Sequence, residues 1–191
     1  MIQEIIVTTQ NEDATTHIAP MGIREENGLI IIAPFKPSAT LENIQRNKSA
    51  VVNRIDDVRI FAGCLTDRKD WPLVSTNKVL GKRLQAALSH LELELDYVED
   101  DDVRPRFYLK PVIEVTHSAF KGFNRAQSAV LETAILVSRL NMLSKEKVEQ
   151  ELEYLTIAID KTAGENEKIA WQWLMEKIDN FQKETRESET T

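Results

Sequence analysis

The apolar residues of this 191-residue chain change their spacing near residue 124, and that change limits the fold more than any other feature. Before it, hydrophobic residues come in short runs or alternate with polar ones. After it, they return every three or four positions. Leu91, Leu93, Leu95 and Tyr97 share one side of an extended segment and Glu92, Glu94 and Asp96 the other, as in a half-exposed strand. Ala126, Ala129, Val130, Thr133, Ala134, Val137 and Leu140 form a stripe of helical period. Strands first and helices last predict a mainly β fold with added helices, a barrel more readily than alternating layers.

Residues 2–9 are rich in Ile, Val and Thr. Asn11-Glu12-Asp13 is turn chemistry, so 2–9 and 15–23 read as a hairpin. Glu26-Asn27-Gly28 signals a second turn before the buried-type run 29–33. A short helix is expected at 41–47, strands at 50–53 and 60–63, and a helix at 77–89 with Val79, Leu80, Leu84 and Leu88 on its apolar side. The strand at 91–98 is expected to pair with 106–116 across the loop Glu99-Asp100-Asp101-Asp102. Three helices follow: one from Asn124; one after Ser144, an N-cap residue, to about Gly164; and one over 167–183 with Ile169, Trp173 and Ile178 inward.

Composition narrows the function. With 31 acidic and 24 basic residues the formal charge is −7, which argues against a basic nucleic-acid-binding surface. No apolar run has membrane-spanning length and no signal-peptide pattern opens the chain, so the expectation is a cytoplasmic protein. Cys64 is the only cysteine and reads as a small buried hydrophobe, since nothing marks a base beside it. His17, His90 and His117 lack paired spacing, so no metal centre is expected, although His17 precedes the Ala-Pro segment and lies near any ligand there. The acidic run 99–102 reads as a solvated turn. Gly81-Lys82 lacks the upstream glycine of a phosphate loop, and the tryptophans read as core or interface residues.

Residues 17–43 carry the clearest ligand signal. In Lys36-Pro37-Ser38-Ala39-Thr40 the hydroxyls of Ser38 and Thr40 fall beside unpaired backbone N–H groups at a helix start, a place that attracts anions, and Lys36 adds positive charge. Pro20 and Gly22 limit side-chain bulk, so the second strand's backbone can approach a flat ring. Glu42 opposes an anion, and an ordinary loop with a capped helix explains the same residues.

The chain resembles the DUF447-type family of archaeal and bacterial proteins in the FMN-binding split-barrel superfamily, relatives of the flavin reductases. The resemblance rests on Glu4-Ile5-Ile6-Val7-Thr8-Thr9 with His17-Ile18-Ala19-Pro20-Met21-Gly22, on Phe35-Lys36-Pro37-Ser38-Ala39-Thr40-Leu41-Glu42-Asn43, and on Gly122-Phe123-Asn124-Arg125-Ala126-Gln127. It implies a six-stranded FMN-binding split β-barrel over 1–122, a C-terminal helical segment over 123–185 packed on the barrel, and a disordered tail at 186–191. It implies FMN, with electron or hydride transfer of flavin-reductase type, in a homodimer that holds the flavin near the subunit interface. The phosphate falls to Lys36, Ser38, Thr40 and Asn43. Thr8, Thr9 and the backbone of Ala19, Pro20, Met21 and Gly22 neighbour the isoalloxazine. Asn53 closes a Val-Val-Asn segment similar to one in flavin reductases, and Arg125 either reaches the phosphate or fixes its helix. No catalytic residue is named, because the flavin carries such chemistry itself. The alternative is a carrier that binds FMN or a deazaflavin without turnover, with a link to pterin-dependent one-carbon metabolism.

Overall fold

Asn27 and Gly28 both adopt positive φ, 52° and 77°, and form the two-residue loop between β2 (Thr16–Glu26) and β3 (Leu29–Ile32). Such a loop matches the twist of the flanking strands and suits Asn-Gly. The structure, a computed structural model, describes residues 1–189. β1 (Gln3–Gln10) runs antiparallel to β2, with Ile5 opposite Met21 and Thr9 opposite His17. β4 (Ser49–Arg54), β7 (Ser89–Glu99) and β8 (Arg106–Thr116) complete a closed antiparallel barrel in the order β1-β2-β3-β8-β7-β4, sealed where Val7 of β1 meets Val52 of β4. Closure pairs the strand edges that an open sheet leaves as templates for association.

Alternation sorts the side chains. Ile5, Val7, Ile23, Ile30, Ile32, Ala50, Val52, Leu91, Leu93, Phe107 and Leu109 fill the barrel, and helix α1 (Ala39–Asn47) adds Leu41 and Ile44 to the same cluster. Met21 packs against this interior while Gly22 faces outward, so neighbouring residues of one strand serve different tasks.

Two expected elements are corrected. Residues 60–63 are not a strand but lie in helix α2 (Arg59–Leu65), where Ile60, Phe61 and Ala62 are consecutively buried. A continuous apolar run of that length does not reveal its period. The segment 77–89 is not a helix. It holds β6 (Lys82–Leu84), which pairs with β5 (Leu73–Ser75) in a separate two-stranded sheet. Barrel side chains grip its backbone instead: Thr8 Oγ1 donates to the Lys82 carbonyl at 2.7 Å, and Asn53 Oδ1 accepts from Leu84 N at 2.8 Å. Glu92 accepts from Asn77 N, Lys78 N and Val79 N at 2.8, 2.6 and 3.1 Å. Those N–H groups are thereby withdrawn from a helix, and tertiary contacts override the helical spacing. Glu92, expected on an exposed face, is fully buried by this clamp.

The chain forms two compact units, the barrel unit of 1–56 and 70–120, and a helical unit of 57–69 with the chain from Lys121 onward. The segment around α2, expected within the barrel, thus belongs with the helices. α3 (Arg125–Val137), a short 3₁₀ turn at Leu140–Met142, α4 (Lys145–Thr162) and α5 (Glu165–Glu189) follow. Asn124 caps α3 by accepting from Ala126 N at 2.8 Å, and Ser144 caps α4. The helical core includes Val58, Ala62, Ala126, Val130, Ala134, Leu155, Ile159, Ala170, Leu174 and Ile178. In α5 the fully buried line runs through Ala170, Leu174 and Ile178, one residue off the expected Ile169 and Trp173, which are half-buried. The helix also continues to Glu189, into the expected tail; the last two residues of that tail lie outside the described ones.

Candidate functional site

The outer face of the barrel carries a row of residues set by strand register: Arg24 of β2 opposite Ile31 of β3, Ile31 opposite Tyr108 of β8, and Tyr108 opposite Tyr97 of β7. The tyrosine rings stack at 4.3 Å between centroids. A cavity of about 420 Å³ opens over this row, lined by Ile2, Gly22, Arg24, Glu26, Ile31, Ala33, Glu99, Asp100, Asp101, Arg104, Arg106 and Tyr108. That volume lies within the roughly 300–1,000 Å³ of small-molecule sites.

Two loops form one wall. Lys36 N donates to the Val103 carbonyl at 2.9 Å, and Lys36 Nζ pairs with Asp100 at 2.8 Å. Arg104 Nε donates to the Ala33 carbonyl at 2.6 Å while its guanidinium lies 4.8 Å from the centre of the Phe35 ring. Asp101 accepts from the backbone N–H groups of Arg104 and Val103, which hold its carboxyl below the usual range. The acidic run is therefore a folded turn that positions arginines. Tyr108 donates its hydroxyl to Glu99 at 2.9 Å, and that bond, with burial and the Glu99 charge, pushes the phenol above its ordinary range.

The residues singled out in the sequence separate into groups. Gly22 lines the cavity, where a Cβ would come within 2.9 Å of Ile2 Cγ2 and 3.4 Å of Glu4 Oε1. Ala19, Pro20 and Met21 are half-buried in the same strand. Lys36 stands beside the cavity through Asp100. Ser38 is the N-cap of α1, its Oγ accepting from Leu41 N at 3.4 Å, a long bond that leaves the hydroxyl proton able to serve another acceptor.

Thr9 and Asn43 are elsewhere. Both are buried, with Asn43 Nδ2 donating to Thr9 Oγ1 at 3.0 Å and to Asn11 Oδ1 at 2.8 Å, while Arg46 donates to Asn43 Oδ1 at 2.5 Å. Thr40 is 1% exposed. Thr8 and Asn53 are tied to β6, and Asn53 Nδ2 also reaches Thr8 Oγ1 at 3.1 Å. Thr8, Thr9, Asn43 and Asn53 thus bond α1 and β6 to the barrel, and Thr40 is buried at the start of α1. Arg125 is the exposed first residue of α3, in the helical unit. His17 is half-buried opposite Thr9. Cys64 is half-buried, and burial pushes its thiol up to about 11, away from nucleophilic character.

Residue-by-residue reading missed Arg24, Arg104, Arg106 and Tyr108. The available signal was alternation: Gly22 with Arg24, and Arg106 with Tyr108, share faces of their strands. Knowing that those faces adjoin required the strand order.

Residues 3–118 match the family described as the N-terminal domain of a protein of unknown function, DUF447, and residues 124–176 match the second DUF447 description. The chain belongs to the DUF447 family. A DUF447 structure, the FMN-bound protein MM1853 from Methanosarcina mazei, superposes with a TM-score of 0.78 at 23% identity, over 92% of this chain and 94% of its own. The uncharacterized protein MJ1453 of Methanocaldococcus jannaschii is 26% identical over 146 residues, 73% of this chain and 75% of the relative. The styrene monooxygenase flavin reductase from Pseudomonas putida S12 aligns with a TM-score of 0.51 at 12% identity, over 61% of this chain and 82% of that one. The barrel thus shares its fold with the FMN-bound DUF447 protein and with the flavin reductase. Among the described residues, no helix is long and apolar enough to cross a membrane.

Proposed function

We propose that this protein binds FMN and acts in electron or hydride transfer of flavin-reductase type, as a homodimer with the flavin near the subunit interface. The observation that carries the reading is the shared fold with an FMN-bound DUF447 protein over 92% of this chain. The residues of the barrel unit fit such a ligand. Lys36, the Ser38 hydroxyl and the first N–H groups of α1 suit a dianionic phosphate through charge-assisted hydrogen bonds. The Lys36–Asp100 pair does not stand in the way, since Asp100 is 86% exposed and an exposed pair exchanges readily for a stronger anion. Pro20 and Gly22 present little bulk along β2, which leaves backbone groups accessible to the edge of a flat ring. Bound FMN supplies the redox chemistry at its isoalloxazine; the chain binds it, orients it and sets its polar surroundings.

Support for a dimer lies around the cavity. Ile2, which lines the cavity, and Phe35, Tyr97 and Val103, beside its lining residues Arg104 and Tyr108, are 55, 59, 45 and 59% exposed, an apolar surface of the kind that association covers. Anaerobic NADH or NADPH added to the flavin-loaded protein tests the catalytic part. Bleaching at a rate proportional to protein is expected; bleaching by dithionite alone would reduce the protein to a flavin carrier or point to another donor.

A further inference from the structure

His90 on β7 is 2% exposed and Glu92, two residues on, is fully buried. His90 Nε2 lies 3.3 Å from Glu92 Oε1, and His90 Nδ1 lies 2.9 Å from Nε2 of the exposed His117, with the two ring planes within 13° of parallel. Burial alone would raise the Glu92 pKa. The N–H groups of Asn77 and Lys78, then His90 and Val79 N, outweigh it and hold the carboxyl below its usual range, so Glu92 is an anion. The nitrogen of His90 that faces Glu92 therefore carries a proton and donates.

That assignment constrains the other contact. A neutral His90 accepts at Nδ1 from His117 Nε2–H; a protonated His90 donates at Nδ1 to a bare His117 Nε2. Either way the 2.9 Å line holds one proton. Two imidazolium rings would put two N–H groups head to head on it, which no rotation of His90 relieves while Glu92 keeps its other nitrogen. The surrounding charges add to this. Arg83 on β6 bears on His117, Arg54 on β4 is already paired with Glu114 on β8, and Glu92 is taken by the clamp. Desolvation first, then Arg83 and His90, lower the pKa of His117.

We propose that the His90–His117 contact is a one-proton latch on the root of the segment leaving the barrel, closed while the facing nitrogens share a proton and opened when acid protonates both rings. His117 follows β8 directly, and its backbone N–H and that of Ser118 both donate to the Leu88 carbonyl, at 2.7 and 3.1 Å. When the latch opens, the exposed His117 ring swings away, the buried His90 stays with Glu92, and the paired N–H groups at 117 and 118 lose a restraint. The closed form binds the second proton more weakly than the open form, so the opening constant rises with acid, up to about tenfold per pH unit for that one proton.

The test uses the full chain, labelled with ¹⁵N, titrated from about pH 8 to about pH 4.5 across the histidine range. Imidazole nitrogen spectra and amide exchange at His117 and Ser118 are followed together. The expected result is two coupled titration steps, the second displaced to acid, with exchange protection at both amides falling up to about tenfold per pH unit through that second step after correction for intrinsic exchange. In His117→Gln, whose side-chain amide can donate to His90 Nδ1 without titrating, protection should stay flat. Independent titration of the rings in the wild-type chain would overturn the latch even if the variant failed to fold. So would unchanged protection through the second step, or the same acid response in His117→Gln.

Discussion

Asn53 shows how one buried side chain serves a fold. Its amide nitrogen reaches the Ile6 carbonyl at 3.2 Å and its oxygen receives Leu84 N at 2.8 Å, so β1, β4 and β6 meet on a single residue. Removing it leaves buried backbone groups without partners, at about 1–3 kcal/mol for such a group. Asn53→Ala is accordingly expected to lower the unfolding free energy by about 2 kcal/mol or more in chemical denaturation. Lys36 and Ser38 carry the opposite expectation. Lys36→Ala with Ser38→Ala should weaken FMN binding at least tenfold by calorimetry, the loss of one charge-assisted hydrogen bond of about 1.5–3 kcal/mol, and lower the unfolding free energy of the apo protein by only about 1 kcal/mol through the lost Ser38 cap. Equal affinity in the double variant would remove the phosphate assignment. Both residue sets were visible as polar positions near expected strands and a helix start. That Thr9, Asn43 and Asn53 are buried and Ser38 only half-buried was not, because burial depends on elements distant in sequence.

At the scale of elements, the β5–β6 sheet is held to the barrel largely by side chains gripping backbone, and Glu92 is the strongest grip. Its folded-state pKa is depressed, so its contribution is fully present above the unfolded carboxylate pKa of about 4.3 and is lost as pH falls through the lower folded value. Amide exchange at Asn77, Lys78 and Val79 should accelerate in that acid window, and Glu92→Gln should show the faster exchange already at neutral pH. Unchanged protection of those amides in the variant would mean that the clamp is not what holds the loop. Legibility of elements followed the same physics. The β2–β3 turn, the pairing of 91–98 with 106–116 and the three C-terminal helices were readable, since each has a local code in turn residues, alternation or caps. The helix at 59–65 and the irregular 76–81 loop were not: the first is too short and uniformly apolar to show a period, and the second is shaped by a carboxylate that follows it in the chain.

For the molecule as a whole, the closed barrel supplies a rigid frame, and the cavity on the outer face of that barrel unit has the exposed Ile2 in its lining, with the exposed Phe35 and Tyr97 stacked on its lining residues Arg104 and Tyr108. If those side chains meet a second copy, light scattering should give about twice the 21.8 kDa chain mass, and Phe35→Glu with Val103→Glu should shift the protein toward the monomer. A monomeric wild-type chain at all concentrations would contradict the assembly while leaving the fold intact. Flavin binding is tested most directly by the visible absorption spectrum of freshly purified protein, followed by heat release and mass identification of the released molecule. Flavin absorption bands and the mass of FMN are expected. A colourless protein that also fails to take up added FMN would contradict flavin binding.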